Sequence, residues 1–195
     1  KIRYVIPFTS KNDDVLSNAY VFQVNTPHSY LYSKAAQAGY ELFKNYNIVL
    51  LNTNDSQDDK KDFIKALKAE LKQNKISYKE CTYNPATFSA DIENQLSKEK
   101  QNVIIPMSGS LETLNKIKNP LVTIAKNKSE YELTLFGYPE WQTYTRDCLE
   151  EFYALNTYIY SNFYADNLNS DVQDFYHKYK TWYSKNLINT FPKYG

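Results

Sequence analysis

The stretch NIVLLNTN, Asn47 to Asn54, holds four consecutive aliphatic residues, Ile48 to Leu51, and then turns polar. A strand with one wet face alternates apolar and polar side chains; a run apolar on both faces needs cover on both sides, as in a parallel sheet. Upstream, Tyr30 to Tyr46 reads as a helix entered after Pro27. Downstream comes an acidic turn, DSQDDKKD, in which Asp58 and Asp59 suit the positive start of a helix. Phe63, Ile64, Leu67 and Leu71 then fall on one helical stripe with lysines opposite, the pattern of an amphipathic covering helix.

The same strand-then-helix unit recurs along the chain. ISYKECTYN (Ile76 to Asn84) precedes a helix over Ser89 to Lys98 with Ile92 and Leu96 inward. NVIIPMS (Asn102 to Ser108) precedes a helix carrying Leu111, Leu114 and Ile117, which should break at Asn119-Pro120 and resume to Lys126. YELTLFGYP precedes a helix from Trp141 to Leu155, and NTYIYSNFY (Asn156 to Tyr164) reads as a further strand. Val172, Phe175, Tyr176, Tyr179 and Tyr183 mark a last amphipathic helix, while IRYVIPF (Ile2 to Phe8) and VFQVN (Val21 to Asn25) read as short strands near the start. The expected fold is α/β: a three-layer α-β-α sandwich with a parallel, doubly wound sheet of about five strands.

The totals agree with a globular chain. A chain of 195 residues buries roughly 70% of its unfolded surface without help from disulfides or metals. The 19 Tyr and 10 Phe against 4 Gly mean that aromatic rings fill much of the interior, and tyrosine can also line a ligand cleft. With 23 basic and 22 acidic residues there is no field of one sign to draw in nucleic acid or anionic lipid. No apolar run approaches the roughly 20 residues that span a bilayer, and KIRYVIPFTS lacks the layout of a signal peptide. Cys81 and Cys148 show no metal-binding spacing, and Cys148 shares an apolar helix face with Trp141, Tyr144 and Phe152, the setting of an inert buried thiol.

Catalytic and nucleotide motifs are missing. No GxGxxG, GxxxxGK[ST], GxSxG or HExxH occurs, which argues against dinucleotide and NTP cofactors. His28 and His177 stand far from any plausible Ser or Cys nucleophile motif. A parallel sheet offers ligands the carboxyl ends of its strands, which directs attention to Thr53 to Asp58, Asn84 to Ser89, Met107 to Ser110, Gly137 to Trp141 and Asn162 to Asp166. Met107-Ser108-Gly109-Ser110 ends one strand and opens a helix, so its N–H groups and serine hydroxyls suit a ligand carboxylate; equally, Ser108 or Ser110 caps the helix. In FGYPEWQTY (Phe136 to Tyr144), Glu140 either benefits from the helix dipole or accepts hydrogen bonds from a ligand ammonium, with Tyr138 and Trp141 as apolar walls or a cation-π face.

Several longer stretches resemble, in order, the type I periplasmic binding proteins, in the branch of leucine/isoleucine/valine-binding receptors. VIPFTSKNDDVLSNAYVFQVNTP (Val5 to Pro27) resembles the family's strand, Ser/Thr-bearing loop and crossover into the second lobe. NIVLLNTNDSQDDKKDFIKALKAEL resembles its next strand and helix, and LTLFGYPEWQTY its strand ending in a Gly-x-Pro-Glu turn. NFYADNLNSDVQDFYHKYKTWYSK resembles the return to the first lobe, and FPKYG (Phe191 to Gly195) the approach to a proline-bearing loop.

The resemblance implies a fragment centred on lobe two: residues 1–27 closing lobe one and crossing over, 28–162 forming lobe two, and 163–195 returning to a lobe-one helix. It assigns Glu140 to the ligand's α-ammonium and Thr9 and Ser10 to its carboxylate, with Tyr83 and Met107 as further contacts at strand ends. Ser56 to Asp58 stand where the family often sets an aromatic over the ligand, so that contact does not carry over. The implied function is non-catalytic and cofactor-free: a small amino-acid-like ligand held by two hinged lobes, serving a membrane permease or a sensing receptor in the periplasm or cell envelope. A competing expectation is a cell-envelope protein whose cleft has lost its ligand and which binds a protein or glycan partner. A Rossmann-like sugar-nucleotide transferase is a third, disfavoured by the missing phosphate loop and metal-carboxylate cluster.

Overall fold

The computed structural model describes residues 2–6, 18–23, 28–55, 60–161 and 168–184. The chain forms two compact units, Lys1–Tyr160 and Ser161–Gly195. In the first, β1 (Tyr4–Ile6) pairs in parallel with β2 (Val21–Gln23), Tyr4 lying opposite Val21. Then α1 (His28–Phe43) leads into β3 (Asn47–Asn52), α2 (Lys61–Gln73), β4 (Tyr78–Thr82), α3 (Phe88–Glu93), β5 (Asn102–Pro106) and α4 (Leu111–Asn127). β6 (Leu133–Gly137), a 3-10 turn over Pro139–Tyr144, α5 (Thr145–Ala154) and β7 (Tyr158–Ile159) complete it. The second unit contributes α6 (Ser170–Tyr183).

The expected α/β sandwich is present. A five-stranded, wholly parallel sheet runs in the order β4-β3-β5-β6-β7. Its central strands are covered on both faces, for every residue of β5 and of β6 is buried. On one side α1 packs with α2, and their Phe43 and Phe63 meet Phe136 of β6 at centroid distances of 6.0 and 5.6 Å. On the other, α4 packs against α3 and α5, and Trp141 stacks on Phe152 at 6.0 Å. The stripe read for α2 is buried in full: Phe63, Ile64, Leu67 and Leu71. Ile92 and Leu96 are buried as well, but α3 ends at Glu93, so Leu96 lies past the helix expected to run to Lys98.

Several local expectations need correction. The helix of α4 does not break at Asn119-Pro120 but runs through it. Proline removes one intrahelical hydrogen bond at a cost of about 3 kcal/mol. Here Leu121 and Ile124 extend the buried stripe of Leu114 and Ile117, and packing of those two residues offsets the loss. The segment from Trp141 is no single helix: Tyr138 is extended, Pro139 takes the first helical position, a 3-10 turn follows, and α5 loses helical geometry again at Cys148 (φ −129°, ψ 20°). Cys148 is buried, yet its sulfur accepts from Lys118 Nζ at 3.3 Å, so its surroundings are not purely apolar. Burial works against the Lys118 ammonium, but contacts with Cys148 and Glu151 outweigh it and raise its pKa. The last strand is two residues, an edge paired on one side only, and 162–164 lie outside the described residues. In α6 no residue is buried, though Phe175, Tyr179 and Tyr183 form an aromatic ladder along one side.

One polar group ties the amino end of the sheet together. Asn102 is fully buried; its Oδ1 accepts from Asn47 Nδ2 (2.8 Å) and Ser97 N (2.7 Å), and its Nδ2 donates to Ser97 O at 2.9 Å. Removing it deprives part-buried groups of Asn47 and Ser97 of their hydrogen bonds. Asn102→Ala should therefore lower the unfolding free energy by about 2–4 kcal/mol in urea, well beyond a surface Asn→Ala control.

A second prediction concerns alkaline pH. Burial, aided by the Asp91 carboxylate, pushes the Cys81 thiol above its ordinary pKa. The unfolded chain then releases this proton first, so the contribution is intact below the ordinary thiol pKa of about 8.5 and is lost as pH rises above it. Between pH 8 and pH 10, roughly the range bracketing that value, stability should fall less steeply in Cys81→Ala than in the parent chain.

Candidate functional site

The strand order fixes where a site can form. The chain runs from β3 outward to β4, then crosses back to β5 on the other side of β3, so neighbouring loops leave the β3/β5 boundary in opposite directions. Such a reversal opens a crevice at the carboxyl ends of the two strands. A depression of about 390 Å3 lies there, lined by Asn52, Thr53, Asn54, Asp55, Met107 and Ser108. Met107 and Ser108 thus sit where the strand-end argument puts them.

At this edge Ser110 is the cap of α4, its side chain accepting from Thr113 N at 3.0 Å. The anion position beside that helix start is filled by the protein itself. Asp55 Oδ2 accepts from Ser108 Oγ (3.3 Å), from Thr113 Oγ1 (3.2 Å) and from Ser110 Oγ. Because Thr113 gives its hydroxyl proton to Asp55, Thr53 is the donor in the 2.6 Å Thr53–Thr113 hydroxyl pair. A carboxylate held by three hydroxyls at a helix start is favoured by both charge-assisted hydrogen bonds and the dipole.

The acid singled out from the sequence is likewise partnered. Glu140 Oε1 accepts from Lys60 Nζ at 2.5 Å, and the same ammonium lies 5.2 Å from the centroid of the Tyr138 ring. Lys60 is only 3% exposed, whereas the Glu140 side chain is 47% exposed. The lysine needs this partner more than the glutamate does, because an ammonium withdrawn from water without a counter-charge is costly.

Gly109 joins the two charge sites. A methyl group there would stand 2.6 Å from Lys60 Cε and 3.2 Å from Tyr138 Cβ. The lysine stem therefore lies directly against the loop whose two serines hold Asp55. Trp141 Nε1 donates to Gly109 O at 2.8 Å, and the Tyr138 hydroxyl donates to Pro106 O, so both rings lock the end of β6 onto the end of β5. Tyr138 and Trp141 are completely buried; the ring face expected for a ligand cation carries Lys60.

Tyr83 sits apart from this group. Its N–H donates to Asn52 O at 2.7 Å, its ring packs on Phe88, and it borders a separate depression of about 260 Å3 with Pro85, Thr87 and Pro120. Lys116 links the two regions, reaching Thr53 O at 3.4 Å and lying 5.9 Å from the Tyr83 ring centroid; its hydrogen bond to Glu112 holds its pKa above the ordinary lysine value. Thr9 and Ser10, and Ser56 to Asp58, lie outside the described residues. Among the described residues no group of three or more His, Cys, Asp or Glu could hold a metal ion, and no helix is long and apolar enough to cross a membrane.

No family model, curated protein or solved structure matches this chain.

Asp55, Lys60, Gly109 and Thr113 belong to this edge without having been singled out individually from the sequence. A faint signal existed for Gly109, the lone glycine between a strand end and a helix start. None existed for the pairing of Lys60 with an acid 80 positions away. The pair can be measured by a double-mutant cycle in chemical denaturant. Glu140→Gln should destabilise by about 1–3 kcal/mol, because it removes the carboxylate to which the buried Lys60 ammonium donates, and Lys60→Met in that background should restore part of the loss.

Proposed function

We propose that this chain takes part in non-catalytic binding of a small solute, an amino acid or related zwitterion, for uptake or sensing at the cell envelope. The observation that carries the reading is the open depression at the β3/β5 reversal, lined by Asp55 and Ser108 beside the serine-capped start of α4. Doubly wound sheets bind their ligands at this kind of place. Its chemistry suits a zwitterion: hydroxyls and a helix start favour a carboxylate, and Glu140 with the Tyr138 ring favours an ammonium. The resemblance to leucine/isoleucine/valine-binding receptors supplies the rest of the proposal. In it the ligand is enclosed by hinge closure of two lobes, no bond is made or broken, no cofactor is needed, and a permease or receptor in the membrane reads the closed state.

A second reading has its own observation in favour. Asp55 already fills the anion position and Lys60 already satisfies Glu140, while Tyr138 and Trp141 are enclosed. An envelope protein that keeps the fold, has lost its ligand and binds a protein or glycan partner would show such an edge.

Melting the chain, together with its flanking sequence, against a panel of L-amino acids separates the two. At a ligand concentration about one hundred times Kd, binding adds about 2.7 kcal/mol of stability and a visible rise in Tm. The first reading expects such a rise for at least one amino acid, diminished in Glu140→Gln. A flat response across the panel supports the second, and a rise undiminished in Glu140→Gln removes that residue from the site.

A further inference from the structure

We infer that Asp55 and Lys60 act as a built-in substitute for the ligand, their carboxylate and ammonium occupying the anion and cation positions that a zwitterion must take. This rests on the amino-acid reading above and adds to it a competition between ligand and protein.

The two side chains come from either end of one connection, between β3 and α2, and each meets the partners the ligand chemistry calls for. Asp55 draws on the hydroxyls of Ser108, Ser110 and Thr113 at the start of α4. Lys60 draws on the Glu140 carboxylate and the face of Tyr138. The sites are contiguous, since Ser108 and Ser110 flank Gly109 and the Lys60 stem packs against Gly109 at a distance no methyl group could share. Lys60 is also nearly inaccessible to water. A buried lysine is expensive to maintain, and apolar residues of similar volume often replace buried ion pairs without loss of stability. In this proposal the lysine holds a ligand position closed until a ligand displaces it.

Competition of this kind weakens apparent affinity by the fraction of molecules whose positions stand open. Removing either internal occupant should therefore strengthen binding at the vacated pole. It should also let a simple ion of the same charge take that pole.

The test compares the full chain with Asp55→Ala and Lys60→Ala, each melted in sodium acetate, methylammonium chloride or the amino-acid panel against sodium chloride at equal ionic strength. Acetate should raise the Tm of Asp55→Ala and methylammonium that of Lys60→Ala, neither ion raising the parent's. The amino acid that stabilises the parent should bind at least about tenfold more tightly to Asp55→Ala. If Lys60→Ala fails to fold by circular dichroism, Lys60→Met keeps the stem against Gly109, removes the charge and is judged by the same methylammonium criterion. Folded variants that respond to the ions no more than the parent overturn the proposal. So does an amino acid bound equally by parent and variants, although the amino-acid reading would then stand. Ion responses with no amino-acid response in any chain would uphold the internal occupants and remove the amino-acid reading.

Discussion

The ammonium of Lys60 is the constraint around which the carboxyl edge of the sheet is arranged. It is removed from water, so it must be given a counter-charge and a polarisable surface, and Glu140 and the Tyr138 ring supply them. A side chain at position 109 would stand 2.6 Å from the Cε of this lysine and 3.2 Å from Tyr138 Cβ, so these neighbours would have to shift to admit it. With Gly109 in place, its carbonyl comes within reach of Trp141, and the short turn after β6 is drawn onto the loop after β5. Three connections, after β3, β5 and β6, are thereby held at one edge by a few polar contacts, although they are far apart in the chain.

That edge exists because of the sheet beneath it. All five strands point the same way, so their trailing loops emerge together. The reversal between β3 and β5 keeps the loops there from closing over one another. The rigidity needed to hold charges at fixed separations comes from β5 and β6, buried along their whole lengths, and from the Phe43, Phe63 and Phe136 cluster below. The polar network of Asn102 secures the opposite end of β5, so both ends of the central strand are fixed by side chains and not only by the sheet ladder.

Much of this framework was legible in the sequence, because it rests on local periodicity. The aliphatic run Ile48 to Leu51 and the stripe Phe63, Ile64, Leu67 and Leu71 reveal burial directly. Local rules failed where tertiary packing prevailed, as at Pro120, whose penalty is offset by apolar neighbours one turn on, and at the turn after Tyr138, where Pro139 starts a 3-10 helix. The site was legible only in outline. Strand-end logic reached Met107, Ser108 and Glu140, since loop position follows from strand direction. The partners of those residues were not, because Asp55 and Lys60 meet them across 53 and 80 positions of sequence and no local pattern encodes such a pairing. Tyr83 shows the reverse: a strand end correctly located, but one that belongs to a neighbouring depression.

The most direct measurement of the central claim is NMR of the lysine side-chain ammonium groups in protein labelled with nitrogen-15. Surface ammonium protons exchange with water too fast to be seen near neutral pH, whereas a buried, hydrogen-bonded ammonium is protected. A resolved Lys60 Nζ signal with contacts to the Tyr138 ring, abolished in Glu140→Gln, is the predicted result. A Lys60 ammonium that exchanges as freely as that of exposed Lys34 would contradict the account.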